Sequence, residues 1–142
     1  MRLIPKFLRA DGTLPEAARL QIASEGQLCL EEGLHGTESF RHFRAPGRRA
    51  SRAIRRIDVG IGISEKRVLL FEQSGRRKVI DLPFDDSRRE AVDVSLDEDK
   101  VAIHVDLDRF GTPNVHGQMT IRFKTPNAAA IVEALHLGLG RQ

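Results

Sequence analysis

The sequence predicts a mainly β (α+β) fold, in which an antiparallel bent sheet or barrel of about seven strands is capped by a C-terminal helix and preceded by a short N-terminal helix. Three observations support this prediction. In several segments apolar and polar residues alternate, as they do in strands with one buried face. Short polar turns join these segments, which favours antiparallel neighbours. The last apolar segment instead repeats at helical spacing.

The first predicted element is a short helix within TLPEAARLQIASEG. Thr13 and Glu16 have the spacing of a capping box, in which each side chain bonds the backbone N–H of the other residue. Pro15 suits the first helical turn, and Gly26 can end the helix.

The middle of the chain has the strand pattern. QLCLEEGLHGTESFRHF is expected to form one or two strands with a kink or turn between Gly33 and Gly36. Gly60 and Gly62 allow a sharply coiled strand or a close neighbour, and KVIDLPF ends or lies at a sheet edge at Pro83. DDSRR and the longer DRFGTPNVHG are expected to be connections. The apolar residues that alternate most clearly are Ile57, Val59, Ile61, Ile63, Val101, Ile103, Val105 and Leu107.

The last predicted element is a helix in NAAAIVEALHLG. Thr125 can cap it, Pro126 fits the first helical position and Gly138 can end it. Its apolar stripe would cover the open end of the bent sheet. That stripe consists of Ala128, Ile131, Val132 and Leu135.

Length and composition point to one globular domain, with 142 residues of which 40% are hydrophobic and 30% charged. We assign residues 1–25 to an N-terminal extension and residues 26–138 to the domain. Cys29 is the only cysteine, which excludes an intramolecular disulfide and favours a reducing, cytoplasmic compartment. No segment has the length and apolar character of a transmembrane span or signal peptide, and Pro5 argues against an amphipathic membrane anchor over residues 1–9.

The charge is distributed unevenly although the net charge is only +3. The stretch RHFRAPGRRASRAIRR, residues 41–56, contains one histidine and no acid, and residues 81–108 carry ten acids against three basic residues. These two blocks are expected to pair within one molecule or between two copies. The arginines of the first block are the candidate binding residues, and they are Arg41, Arg44, Arg48, Arg49, Arg52, Arg55 and Arg56.

Four interpretations of these arginines stay open. They can bind an acidic protein partner or a second copy, contact nucleic-acid phosphates, or attract an anionic membrane. They can also be a solvated or internally paired segment. For single-stranded nucleic acid, only Phe40 and Phe43 are near enough in sequence to stack on bases.

Two segments resemble those of a known domain class. GIGISEKRVLLFE, residues 60–72, is similar to a hairpin of bacterial PH-like (pleckstrin-homology and GRAM-like) domains, and GQMTIRFKTPNAAAIVEAL, residues 117–135, to their last strand and capping helix. The resemblance implies a non-catalytic module that binds a lipid headgroup, a peptide or a partner domain. The patterned basic motif of phosphoinositide-binding members is not visible here. Another small β-barrel or sandwich with a terminal helix is the alternative fold.

No catalytic or metal motif stands out. His104, Asp106 and Asp108 share a strand face and offer metal-ligand chemistry, but exposed strand faces commonly carry such residues. Cys29 is expected to be a buried structural thiol, since no cysteine–histidine signature accompanies it. We therefore expect no enzyme activity, no cofactor and no bound metal, while a small enzyme would require a cleft assembled only in three dimensions.

Overall fold

The computed structural model describes residues 13–72 and 76–141, which form a curled antiparallel half-barrel with three α-helices. The strands are β1 (Gln27–Ala45), β2 (Arg48–Ser64), β3 (Arg67–Glu72), β4 (Arg77–Pro83), β5 (Val92–Asp97), β6 (Lys100–Asp106) and β7 (His116–Lys124). The helices are α1 (Glu16–Ser24), α2 (Leu107–Phe110) and α3 (Ala128–Gly138), with a 3-10 helix at Ser87–Ala91. The strand order is β4-β3-β2-β1-β7-β6-β5. The predicted fold class is confirmed.

The core lies on the inner face of the sheet and under α3. All eight apolar residues of the two alternating segments are buried, and so are the four residues of the predicted helical stripe. Each fully buried side chain of this kind contributes about 1.5–3 kcal/mol of transfer free energy. Pro83 is the last residue of the edge strand β4, as its missing N–H requires.

Helix α1 packs on the outer face of the sheet, against one end of β2. A Cβ atom on Gly62 would lie 2.9 Å from Cγ1 of Ile22, so the glycine admits the helix. Gly26 follows the helix with φ +84°, as expected for a left-handed end. The predicted capping box is wrong, because Pro15 precedes the helix and no side chain caps it. Instead, the Leu14 backbone N–H donates to Glu32 Oε2 at 2.6 Å.

The arginine-rich stretch forms a β-hairpin and not a loop. β1 is one strand with an irregularity at Gly33, which has φ +70° and explains the predicted kink. Beyond that irregularity, β1 and β2 stay paired up to the Pro46-Gly47 turn. Backbone hydrogen bonds to the neighbouring strand stabilise this extension. The sequence gives no sign of it, because the arginines have no period-two pattern.

The C-terminal helix begins two residues later than predicted, at Ala128 and not at Pro126, and Gly140 takes the left-handed conformation expected of Gly138. Thr125 Oγ1 accepts from the Asn127 N–H at 3.1 Å, and Gly140 has φ +72°. Gly138 is still helical, and a Cβ atom there would lie 2.5 Å from the ring of Phe84. Gly138 therefore serves packing and not helix termination. The expected connection DRFGTPNVHG begins with α2, and DDSRR leads into the 3-10 helix.

Some expectations lie outside the described residues. The signal-peptide and membrane-anchor hypotheses concern the segment 1–12, about which the structure says nothing. Of the helices within 13–72 and 76–141, none has the length and apolar character needed to cross a bilayer.

Candidate binding surface

Strand alternation divides the arginines of residues 41–56 between two faces of the sheet and the hairpin tip. Arg55 pairs with Glu38 and shares the inner face with Ile57, which is buried in the core. The side chains on the outer face are Arg41, Arg52 and Arg56, and those near the turn are Arg44, Arg48 and Arg49. All seven arginines are exposed. We call Arg44, Arg48 and Arg49 the hairpin tip.

A fourth arginine joins the outer face from β7. Thr37 on β1 is the register partner of Arg56 on one side and of Arg122 on the other. Arg41 lies directly opposite Arg52. We call Arg41, Arg52, Arg56 and Arg122 the arginine face. Sequence reasoning missed Arg122: its place between the apolar residues of QMTIRF signals solvent exposure, but the pairing of β7 with β1 cannot be read from the sequence.

Three of the four residues of the arginine face line a cavity of about 300 Å³. Ser39 and Thr120 present hydroxyl groups within it, and Ile54 is 61% exposed at its edge. Arg41, Arg52 and Arg122 all line it. The cavity thus combines guanidinium groups and hydroxyl groups with the apolar residues Phe40 and Ile54, together with His104 and Gln118.

Two pairs of positive charges face each other in this hairpin. Arg41 is the cross-strand partner of Arg52, and Arg44 that of Arg49. Like charges directly opposite on a sheet destabilise it. Among the described residues, no carboxylate forms an ion pair with any of these four side chains. An anionic partner would relieve this repulsion.

Arg55 differs from the other arginines of the stretch, because two buried carboxylates hold it. Its Nε donates to Glu38 Oε1 at 2.8 Å and its Nη2 to Glu72 Oε1 at 2.5 Å. Arg77 bonds the same two carboxylates. Burial lowers the pKa of Arg55, but the two hydrogen bonds outweigh it and the pKa is raised. Arg55 and Arg77 therefore neutralise charge that the inner face would otherwise bury alone.

Within the described residues, no carboxylate of the acidic block forms an ion pair with the arginine stretch, although two of them lie near it. Asp106 is in the same row as Arg41, across Gln118. The pKa of Asp108 is lowered by its hydrogen bond to His116 and further by the charge of Arg44.

The carboxylates of the β5–β6 turn are far from the stretch. Asp97 lies 3.6 Å from Arg122, and Asp99 lies 3.4 Å from Lys124. These carboxylates occupy the β5–β6 turn, at the opposite end of the sheet from the hairpin tip. Six residues of β7 separate the Arg41 row from this turn, or about 20 Å of extended strand. Direct pairing of the two ends therefore needs a second molecule.

Of the three residues expected to share a strand face, His104 and Asp106 lie on β6 but Asp108 lies in α2. His104 lies on the outer face, where Nδ1 is 3.0 Å from Thr120 Oγ1. Burial, and then the charge of Arg122, lower its pKa. Asp106 accepts from the Asp108 backbone N–H, and Asp108 lies 2.7 Å from His116. Within residues 13–72 and 76–141, no group of three or more candidate ligands is placed to hold a metal ion.

The structure also shows the surroundings of Cys29 and of the two phenylalanines, Phe40 and Phe43. Cys29 is half-buried, and burial together with Glu31 raises the pKa of its thiol to about 11, which disfavours a nucleophilic thiolate. The rings of Phe40 and Phe43 lie 4.6 Å apart at the open end of the half-barrel, among core side chains. Phe40 also borders the cavity of the arginine face, but its ring packs against Phe43 at the open end.

Comparison with known proteins assigns no family, since no protein-family model matches the sequence and no curated protein is significantly similar to it. The candidate surface therefore rests on the geometry described above.

Proposed function

We propose that this chain is a cytoplasmic, non-catalytic binding module whose arginine face and hairpin tip bind an acidic protein surface. The observation that carries the proposal is the two pairs of directly opposed arginines, Arg41 with Arg52 and Arg44 with Arg49, none of which forms an ion pair with a described carboxylate. Such an arrangement is unfavourable in the isolated hairpin and becomes favourable once carboxylates lie between the guanidinium groups.

The chemistry of the surface suits a protein partner. Guanidinium groups bind carboxylates in bidentate fashion, and the segment 41–56 contains arginines but no lysine. Protein interfaces are enriched in arginine and centre on apolar side chains, and here Ile54 is exposed among the arginines. Ser39 and Thr120 add hydrogen-bonding groups in the same cavity.

Nucleic acid and anionic membranes are the alternative partners. Two aromatic residues line the cavity of the arginine face, but the Phe40 ring packs against Phe43 and His104 Nδ1 is 3.0 Å from Thr120 Oγ1, so single strands would gain phosphate contacts with little base stacking. A membrane would gain about 1 kcal/mol for each arginine near its surface, but Ile54 alone offers apolar contact. An acidic protein can contact the arginines, the hydroxyl groups and Ile54 together, whereas nucleic acid and membranes would contact mainly the arginines.

The resemblance of residues 60–72 and 117–135 to PH-like domains agrees with a binding role, since it implies recognition and not catalysis. We propose residues 26–138 as the corresponding domain. The acidic surface can belong to another protein or to a second copy, whose β5–β6 turn supplies Asp97, Glu98 and Asp99.

Three probes distinguish the partner classes: a ten-residue glutamate peptide, a ten-nucleotide thymidine strand and phosphatidylserine vesicles. Isothermal titration at low and moderate salt is expected to give tighter binding of the peptide than of the oligonucleotide, and weak vesicle binding. Tighter oligonucleotide binding at both salt concentrations, or vesicle binding without peptide binding, would overturn the proposal.

Sedimentation equilibrium separates the two sources of acidic surface. If a second copy is the partner, the mass rises with concentration, and Arg48→Glu/Arg49→Glu returns it to that of a monomer. A partner of another sequence leaves the mass monomeric while peptide binding persists. A monomer that does not bind the peptide contradicts both forms of the proposal.

A further inference from the structure

A second cavity lies at the open end of the half-barrel, on the inner side of the sheet. Its volume is about 270 Å³, and its wall is mainly apolar. The hairpin contributes Phe40 and Phe43, β4 contributes Val79, α2 contributes Phe110, and β7 contributes Met119. These side chains are continuous with the core, so the cavity is a pocket in the packed interior that opens to solvent.

The rim of this cavity carries cations and its lining contains no carboxylate. Arg77 is held by the Glu38–Glu72 pair. The Arg48 guanidinium lies 5.7 Å from the centre of the Phe43 ring, and no described carboxylate pairs with it. Lys78 Nζ makes only an exposed ion pair at 3.3 Å, which is a weak interaction. Arg48 and Lys78 can therefore both turn to an incoming anion.

We propose that this cavity binds an anionic amphiphile, a carboxylate with one saturated hydrocarbon chain. The chain lies against the phenylalanine rings and Met119, and the carboxylate lies between Arg48 and Lys78. Apolar walls with a few convergent polar groups are the usual composition of small-molecule sites. The rim charge excludes cationic amphiphiles and favours anions over neutral molecules of the same length.

The cavity volume limits the length of the hydrocarbon chain that can bind. A cavity of 270 Å³ corresponds to about nine water molecules at ~30 Å³ each. A methylene group occupies nearly the volume of a water molecule, so a chain of about eight to ten carbons fills the site. Longer chains would extend into solvent without adding buried contact.

Methionine signals give a direct test, because the chain has only two methionines and one of them, Met119, lines the cavity. Octanoate and decanoate are titrated, below their aggregation concentrations, into protein carrying ¹³C-methyl methionine. The Met119 signal is expected to shift as ligand is added. Decanoate is expected to bind with a Kd below about 1 mM and about fourfold more tightly for each added methylene.

Charge dependence tests the orientation of the ligand. Arg48→Gln/Lys78→Gln is expected to weaken decanoate binding at least fivefold and to leave decanol binding unchanged. Lys66→Gln/Arg109→Gln removes two exposed cations that do not line the cavity; it is the matched control and should bind decanoate as the wild type does.

Three results would overturn this proposal: an unshifted Met119 signal, equal affinity for decanoate and decanol, or tighter binding of decyltrimethylammonium. These three results test the cavity independently of the arginine face, because the ligands carry no acidic protein surface. The charge variants alter exposed side chains, so failure to fold is not expected; circular dichroism and thermal unfolding verify this.

Discussion

Arg55 and Arg56 are consecutive residues of β2 whose side chains leave opposite faces of the sheet. Arg55 bonds the buried carboxylates of Glu38 and Glu72 on the inner face. Arg56 lies opposite Thr37 on the outer face and forms no ion pair with a described carboxylate. Two neighbouring arginines of one basic stretch thus have different physical roles, and substitution can separate them.

Arg55→Ala is expected to destabilise the fold by about 1–3 kcal/mol, because Glu38 and Glu72 lose a charged donor and only Arg77 is left to both. Arg56→Ala is the matched control, with an expected change below about 0.5 kcal/mol. Urea unfolding measures both variants. Equal destabilisation would contradict the assigned faces.

Arg52→Glu is expected to stabilise the unbound protein by about 0.2–1 kcal/mol. The substitution replaces the like-charge pair with Arg41 by an opposite-charge pair at the same register position. Arg52→Gln separates loss of repulsion from gain of attraction and should lie between the glutamate variant and the wild type. A decrease in the free energy of unfolding for Arg52→Glu would show that the two guanidinium groups do not oppose each other.

Gly138→Ala is expected to destabilise the protein by about 1–3 kcal/mol, because its Cβ atom would lie 2.5 Å from the Phe84 ring. Phe84→Leu removes that ring, so Gly138→Ala should cost less in the Phe84→Leu background. A double-mutant cycle measured by thermal unfolding gives the coupling between the two residues. Additive effects would contradict the close approach of α3 and Phe84.

The lowered pKa of His104 makes the free energy of unfolding depend on pH. Burial first, and then Arg122, hold its folded-state pKa below the value of 6.5 for a free side chain. As the pH falls through 6.5, the unfolded chain therefore takes up a proton before the folded one, and stability decreases until the folded-state pKa is passed. The difference in urea midpoint between wild type and His104→Gln, measured from pH 7.5 to 5, should follow this course. A difference independent of pH would contradict it.

The sequence predicts the sheet well because the core residues alternate. The buried set from Ile57 to Ile63 and the stripe from Ala128 to Leu135 both follow from spacing alone. Local geometry is less predictable. Spacing predicts a capping box between Thr13 and Glu16. In the structure the Leu14 N–H instead donates to Glu32, which lies on β1 and is distant in sequence.

The candidate site is only partly visible in the sequence. The stretch 41–56 is conspicuous, but nothing in it separates Arg55 from Arg56, since Glu38 and Glu72 meet Arg55 only through strand pairing. Arg122 cannot be recognised from the sequence either, because it joins the arginine face only through the pairing of β7 with β1. The amphiphile cavity depends on the curvature that brings β4, α2 and the hairpin together, which no local pattern encodes.

The most direct test of the arginine face is the affinity for the glutamate peptide of two variants with the same change in charge. Arg41→Gln/Arg52→Gln removes the facing arginines, and Lys66→Gln/Arg109→Gln removes two exposed cations elsewhere. Titration calorimetry should show affinity reduced about five- to tenfold in the first variant, because two ion pairs are lost. The second variant should stay within twofold of wild type. Equal losses in both would mean that binding follows net charge alone, and would contradict a defined arginine face.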